Sequence, residues 1–389
     1  MNRFFRARGV AAAGVAVGAC AAALAALGAL GANGASPRTG PLAVRGSLER
    51  PPAAFVRGDG IYEANGRSQL GGAVSGAMMG PLSSVAVRSP DGASVAYNTW
   101  QDARPVDNSR SFSAQGIHDG DVLGVPSLRV HDDRGGDVLL ARGAYSAAWR
   151  DDGAIAFVEG TDASFRAGRV YEGDVVVRPG VHGRDLVWTR TADHYVVYAW
   201  ARNRLLFYRI GLGERLELLV ADAAGEIRKL ADGSAVAVSP DATRVAVVSQ
   251  DGTNVRVLDI ASGRELSWLD VTTAGPPLRW IAYSGAWTRD HIVAPASTGL
   301  AVLHVGDGSL SVEQALSLDR SEFPAGVQEP RFTDSNGNEI AAVADVPPAA
   351  GSEGTSFLLQ CDRIARTCER GPSAPAKDWL RLVDQEGRR

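Results

Sequence analysis

SAVAVSPDATRVAVVSQDGTNVRVLDIASGRELSWL, residues Ser234 to Leu269, holds four short apolar runs, each ended by turn residues. The first, Ala235–Val238, stops at Ser239-Pro240-Asp241, and the second, Val245–Val248, stops at Gln250-Asp251-Gly252. Val255, Val257 and Asp259 alternate along one face of a third, and a fourth follows Ala261-Ser262-Gly263 at Leu266–Leu269. Period-two runs between turn signals predict four strands of one antiparallel up-and-down sheet. Pro240 presets φ for the bend, and the Asp241 carboxylate can accept from backbone amides around it. Such a unit cannot bury both faces alone, so it demands copies of itself.

The copies are present. Val85-Ala86-Val87-Arg88-Ser89-Pro90-Asp91-Gly92 before Val95-Ala96-Tyr97 is the clearest, and Ala147-Ala148-Trp149-Arg150-Asp151-Asp152-Gly153 before Ile155-Ala156-Phe157 is another. Weaker ones centre on Asp193, Asp290 and Asn336. With Asp91, Asp152, Asp193, Asp241, Asp290 and Asn336 taken as equivalent, the steps are 61, 41, 48, 49 and 46 residues. Four-stranded repeats of roughly 40–50 residues are the signature of a β-propeller. The expected fold is therefore all-β, a propeller of four-stranded antiparallel blades, with seven blades favoured over six. The Ser-Pro-Asp-Gly bend before an apolar strand resembles the TolB-type, WD-like propeller repeat. The resemblance covers most of the chain after about residue 55, and two units carry Ser-Pro-Asp intact.

Three segments are expected. In residues 1–35, Arg3, Arg6 and Arg8 precede an uncharged stretch that begins at Gly9 and ends in small residues. That order reads as an export signal or, uncleaved, an N-terminal membrane anchor, with the rest of the chain outside the cytoplasm. Val17-Gly18-Ala19-Cys20 loosely matches a lipoprotein cleavage box, but the apolar residues after Cys20 argue against it. Residues 36–52 read as a linker, and residues 53–389 as the propeller. The innermost strand of the first blade has two candidates, Leu42-Ala43-Val44 or a returning Trp379–Val383; the second would close the ring by pairing the chain's two ends.

The formal charge is −4, and only Lys229 and Lys377 are lysines. No basic block stands out, which argues against nucleic acid as a partner. Cys20 lies in the export segment, leaving Cys361 and Cys368 across a short hairpin, where an exported chain is expected to form a disulfide. No two histidines share a metal-binding spacing, and His194 and His291 read as surface turns. Asp334-Ser335-Asn336-Gly337-Asn338 and His131–Asp137 are acidic, and both read as solvated turns. Trp149, Trp188 and Trp287 are expected to pack between blades. Neither a Gly-x-Ser-x-Gly elbow nor a phosphate-binding loop occurs.

The expected function is an extracytoplasmic, non-catalytic propeller that binds another protein or a cell-envelope component, without a cofactor. The TolB resemblance implies an envelope scaffold role, although no partner-binding motif of that family matches here. The alternative is an enzyme or small-ligand binder using the central channel, lactonase- or glycosidase-like, which needs two carboxylates or metal ligands converging at the axis. The longest step marks an insertion, Gln101–Ser127, between a second strand ending near Trp100 and a third resuming near Leu128. It holds the candidate partner-binding residues Arg104, Asp107, Arg110, Phe112 and Ile117. Loops of this length inside compact domains are usually functional or disordered.

Overall fold

The bend at Ser239-Pro240-Asp241-Ala242 is closed by side chains as well as backbone. The Ser239 hydroxyl donates to Asp241 Oδ1 (2.6 Å) and accepts from the Arg244 amide (2.9 Å), while the Thr243 amide donates to the same carboxylate oxygen (3.2 Å). Ser89-Pro90-Asp91-Gly92 repeats this arrangement at 2.6 and 2.9 Å. Ser249-Gln250-Asp251-Gly252 does so without proline. At Arg150-Asp151-Asp152-Gly153 a guanidinium replaces the hydroxyl and donates twice to Asp152, at 2.8 and 2.7 Å. The fourth residue of each bend has positive φ (Gly92 76°, Gly153 84°, Ala242 54°, Gly252 72°), the left-handed region that glycine enters without steric cost.

The Ser89 hydrogen bond holds the Asp91 carboxyl below its ordinary range, and Arg150 does the same for Asp152. Ser249 and then Thr253 hold that of Asp251 at about 2. A carboxyl depressed in the folded state stabilises the protein above its unfolded value of about 3.9, and loses that contribution as pH falls through the folded one. The melting temperature should therefore fall more steeply with acid, between about pH 4 and pH 2, in the wild type than in Asp251→Asn, whose amide does not titrate. Calorimetric melts across that window check this, and parallel curves for the two proteins would count against it.

The computed structural model describes residues 41–48, 53–63, 66–74, 86–105, 122–161, 172–189, 194–211, 215–274, 278, 285–323, 327–346, 354–375 and 380–383. Strand β1 is Ala43–Ser47, followed by β2 (Phe55–Glu63) and β3 (Gly66–Val74). Six sets of four come next. They are β4–β7 (Ala86–Arg88, Ser94–Pro105, Val122–Asp132, Asp137–Arg142), β8–β11 (Ala144–Trp149, Ile155–Glu159, Asp174–Arg178, Leu186–Val187) and β12–β15 (Tyr195–Ala201, Arg204–Ile210, Leu216–Ala221, Ile227–Asp232). The others are β16–β19 (Ser234–Val238, Arg244–Val248, Asn254–Asp259, Glu265–Asp270), β20–β23 (Ala286–Thr288, His291–Ala296, Gly299–Gly306, Ser309–Ser317) and β24–β27 (Val327–Phe332, Glu339–Val346, Thr355–Asp362, Thr367–Pro375). The last strand is β28 (Arg381–Leu382). Each set of four is one antiparallel sheet paired in chain order. The chain is a seven-bladed β-propeller.

Both ends of the described chain take part in closure. β28 pairs antiparallel with β2 (Phe55↔Leu382, Val56↔Arg381) and supplies the innermost strand of blade 1, the second of the two options open in the sequence. β1 instead pairs in parallel with β27 on the outer edge of blade 7 (Ala43↔Thr367, Val44↔Cys368). The first of the two options, Leu42-Ala43-Val44, thus leads into a strand within 36–52, but one that joins the outer edge of blade 7 and not the inner edge of blade 1; residues 1–35 lie outside the described residues. Arg381 Nε lies 3.2 Å from Glu329 Oε1, and the Leu382 amide donates to Glu329 Oε2 (3.3 Å), tying the innermost strands of blades 7 and 1.

Asp193 is not the bend of its repeat. Val187 ends β11 and Tyr195 begins β12, so the interval crosses from blade 3 to blade 4, and Asp193 itself lies outside the described residues. The first bend of blade 4 is at Arg202-Asn203, with Arg202 at φ 57°. It lacks Ser, Pro and Asp, so spacing alone misplaces it.

Blades are joined by buried aromatics whose polar ends reach a neighbour's backbone, as such groups require when buried. Trp149 Nε1 donates to Val87 O and Trp200 Nε1 to Ala148 O, both at 3.2 Å, and Tyr145 Oη donates to Tyr195 O at 3.0 Å. Trp188 packs edge-on against Trp200, and Arg244 lies over the Trp287 ring. Cys361 and Cys368, opposite one another on β26 and β27, are joined by a buried disulfide.

Candidate functional site

β5 and β6 make an unusually long hairpin. Its pairing begins at Ser94↔Asp132 and persists to Pro105↔Val122, with an irregularity between Gln101 and Arg104. The equivalent hairpin of blade 5 pairs only from Arg244↔Asp259 to Val248↔Val255. The second strand therefore does not end near Trp100, nor does the third resume near Leu128. Val122, Leu123 and Val125 favour extended structure, and proline is tolerated where the strand stops needing a donor, as at Pro105. Arg104 lies on β5 opposite Leu123. Asp107, Arg110, Phe112 and Ile117 lie outside the described residues. In an up-and-down blade this hairpin leaves on the face that also carries the connections between blades.

The base of the hairpin is anchored by Asp137, the first residue of β7. Its Oδ2 accepts from Tyr97 Oη (2.6 Å) and the Gly71 amide (2.9 Å), and its Oδ1 accepts from Arg129 Nε (2.6 Å). Burial pushes this carboxyl up, but Tyr97, Gly71 and Arg129 outweigh it and leave it below the ordinary range. Burial, then Asp137, drive the Tyr97 hydroxyl far up. The stretch His131–Asp137 is therefore a solvated turn only in its middle. Asp132 Oδ1 caps the Arg134 and Gly136 amides, whereas His131 is buried and Asp137 faces blade 1 through Gly71.

A second cluster lies at the opposite ends of the strands, where blades 6 and 7 meet. Two-residue turn Ser297-Thr298 joins β21 to β22 and sets His291 directly opposite His304, with ring centroids 5.7 Å apart. Asp290 completes a group whose ligand atoms all lie within 4.8 Å of one another. His291 Nδ1 is 2.9 Å from Asp290 Oδ1, and His291 Nε2 is 2.9 Å from Glu313 Oε2 on β23. Arg363, from the β26–β27 turn, donates to Glu313 Oε1 (2.8 Å) and to Gly337 O (2.7 Å), and its Nη2 lies 3.3 Å from His291 Nε2. His291 is therefore not a surface-turn residue; only 13% of its side chain is exposed. At Asp334–Asn338, by contrast, the Asp334 carboxylate caps its own turn through the Asn338 and Glu339 amides, both at 2.8 Å.

An open groove of about 570 Å³ is lined by Asp232, Ser249, Gln250, Arg256, Glu265 and the half-exposed Trp268. Toward the axis, Glu329 is the one carboxylate among the described residues of the seven innermost strands, and it is held by Arg381 and the Leu382 amide. A pair of carboxylates is not assembled there among the described residues.

No family model matches the chain, and no curated protein matches it. Several solved structures are similar to it over much of its length. TolB from Acinetobacter baumannii is 16% identical at a TM-score of 0.38, over 64% of this chain and 62% of that one, so the match spans less than two thirds of TolB's length. The β-propeller domain of Cps50 (Swd1) from Myceliophteria thermophila is 10% identical at a TM-score of 0.46, over 80% and 92%. A functionally unknown protein from Desulfotomaculum acetoxidans is 9% identical at 0.49, over 86% and 99%. At these identities and TM-scores none of them carries a role over to this chain.

Proposed function

We propose that this chain is an extracytoplasmic, non-catalytic propeller that binds a protein or cell-envelope component through the face bearing the β5–β6 hairpin. The observation that carries this reading is the overhang, in which pairing continues to Pro105↔Val122, whereas the blade 5 hairpin pairs only from Arg244↔Asp259 to Val248↔Val255. Strands extended past a blade present backbone and side chains on rigid supports, a better platform than a free loop. The Asp137 network supports the base of that platform. The buried disulfide fits an oxidising compartment, and residues 1–35 would direct export. Among the described residues no helix is long and apolar enough to cross a membrane.

Replacing residues 102–123 by a turn of about five residues tests the reading. The pairs from Ser94↔Asp132 to Gln101↔Val125 remain, and buried Val125 is kept, so the melting temperature should stay within a few degrees, since changes of loop length cost little. In envelope cross-linking and pull-down, the partner recovered with the full-length protein should be lost. Equal recovery with the shortened hairpin would refute the assignment of the binding face.

A further inference from the structure

We infer that Asp290, His291 and His304 form a binding site for a divalent first-row transition ion of the zinc class. The candidate ligand atoms of all three lie within 4.8 Å of one another. His291 Nδ1 is buried and 2.9 Å from Asp290 Oδ1, in a geometry that forms no hydrogen bond. His291 Nε2 lies 2.9 Å from Glu313 Oε2 and 3.3 Å from Arg363 Nη2. Metal binding at Nδ1 takes the tautomer with the ring proton on Nε2, where Glu313 can accept it. Nδ1 then turns its lone pair to a cation that Asp290 Oδ1 also reaches, and His304 stands close enough to join.

The surroundings match what a ligating histidine needs. A carboxylate on the far nitrogen fixes the tautomer and raises ligand basicity. Glu313 is itself clamped by Arg363, whose Nε is in turn engaged by Gly337 O. A Cβ at Gly337 would stand 3.4 Å from Nδ1, so the glycine keeps that side of the nitrogen clear. Two imidazoles and one carboxylate suit zinc, cobalt or nickel, whereas calcium and magnesium take oxygen ligands. Three protein ligands also leave a coordination position for water or a partner's side chain. The ligands come from the β20–β21 turn, β21 and β22, and their support comes from β23 and from two turns of blade 7, so the ion would brace the junction of blades 6 and 7.

Cobalt(II) is the probe. The full chain, stripped with chelator and titrated with cobalt chloride, should develop visible d–d bands that saturate at one equivalent and bleach on adding zinc. His304→Ala and Asp290→Asn should each lose the bands, while His182→Ala, at an exposed position, should keep them. Glu313→Gln should weaken the apparent affinity about 10–100-fold without abolishing it. Circular dichroism melts of each metal-free variant establish that it is folded, and His304→Gln replaces His304→Ala should the latter not be. A folded wild type without bands, or bands undiminished in both ligand variants, would overturn the site.

Discussion

A chain ending at residue 378 is expected to lose most of its stability. The removed segment includes Leu380, Leu382 and Val383, which are 0%, 5% and 2% exposed. Leu380 and Leu382 pack with Phe55, Ala341, Val343 and Leu358, and Val383 packs with Val56, Ile61 and Tyr97. Each such side chain contributes about 1.5–3 kcal/mol by burial. Together they approach the about 5–15 kcal/mol by which a whole domain is stable. The deletion also uncovers the inner edge of β2 and leaves Glu329 without Arg381 and the Leu382 amide. An open ring with a bare strand edge recruits other strands, so size-exclusion chromatography should show oligomers as the calorimetric transition broadens or vanishes. Leu382→Ala, costing about 2–4 kcal/mol, is the graded version. A truncated monomer melting within a few degrees of the full chain would show that closure does not depend on β28.

Asp137→Ala should cost about 2–4 kcal/mol, the range for removing one partner of a buried charged pair, reduced because Arg129 keeps 21% of its side chain exposed. The loss strands the Tyr97 hydroxyl inside a fully buried side chain and takes from Arg129 its carboxylate partner, while the exposed Gly71 amide can turn to water. Tyr97→Phe removes one donor and leaves the carboxylate with its other two, so about 1 kcal/mol is expected. A double-mutant cycle by urea denaturation separates the pairwise term from the rest. Additive losses would mean that Tyr97 and Asp137 act independently, contrary to the 2.6 Å bond between them.

How much of this was legible depended on whether the signal was local. Ser239-Pro240-Asp241 and Ser89-Pro90-Asp91 announce hairpins because the bend is closed by residues within five positions of each other. Blade 4 was misread where that chemistry is replaced by Arg202-Asn203, whose positive φ has no sequence signature. β28 was accessible as one of two options because Leu380, Leu382 and Val383 form an apolar run, whereas the other option, Leu42-Ala43-Val44, leads into β1, an outer-edge strand with three of its five residues exposed and no alternation. The His291–His304 pairing could have been found, since Ser297-Thr298 is a two-residue turn and fixes the register on both sides. Glu313 and Arg363 could not, because they meet across blades, 50 residues apart. Asp137 hid in a stretch whose other acidic residues are solvated.

The two-ended closure also sets an order of events in time. β1 and β2 find their partners in β27 and β28, at the far end of the chain; Arg57 donates to Ser373 O, 316 residues onward. A chain emerging at 5–20 residues per second must therefore wait on the order of tens of seconds before its first strands can be satisfied. Blades 2 to 6 draw all four of their strands from contiguous sequence and can form as they appear. Blade 1 is the first to be made and the last to be completed. Until the final residues arrive, its β-edge is open, and contacts of such long range are slow to form. The hazard of misassociation is concentrated in that interval, at the one seam where the beginning and the end of the chain have to meet.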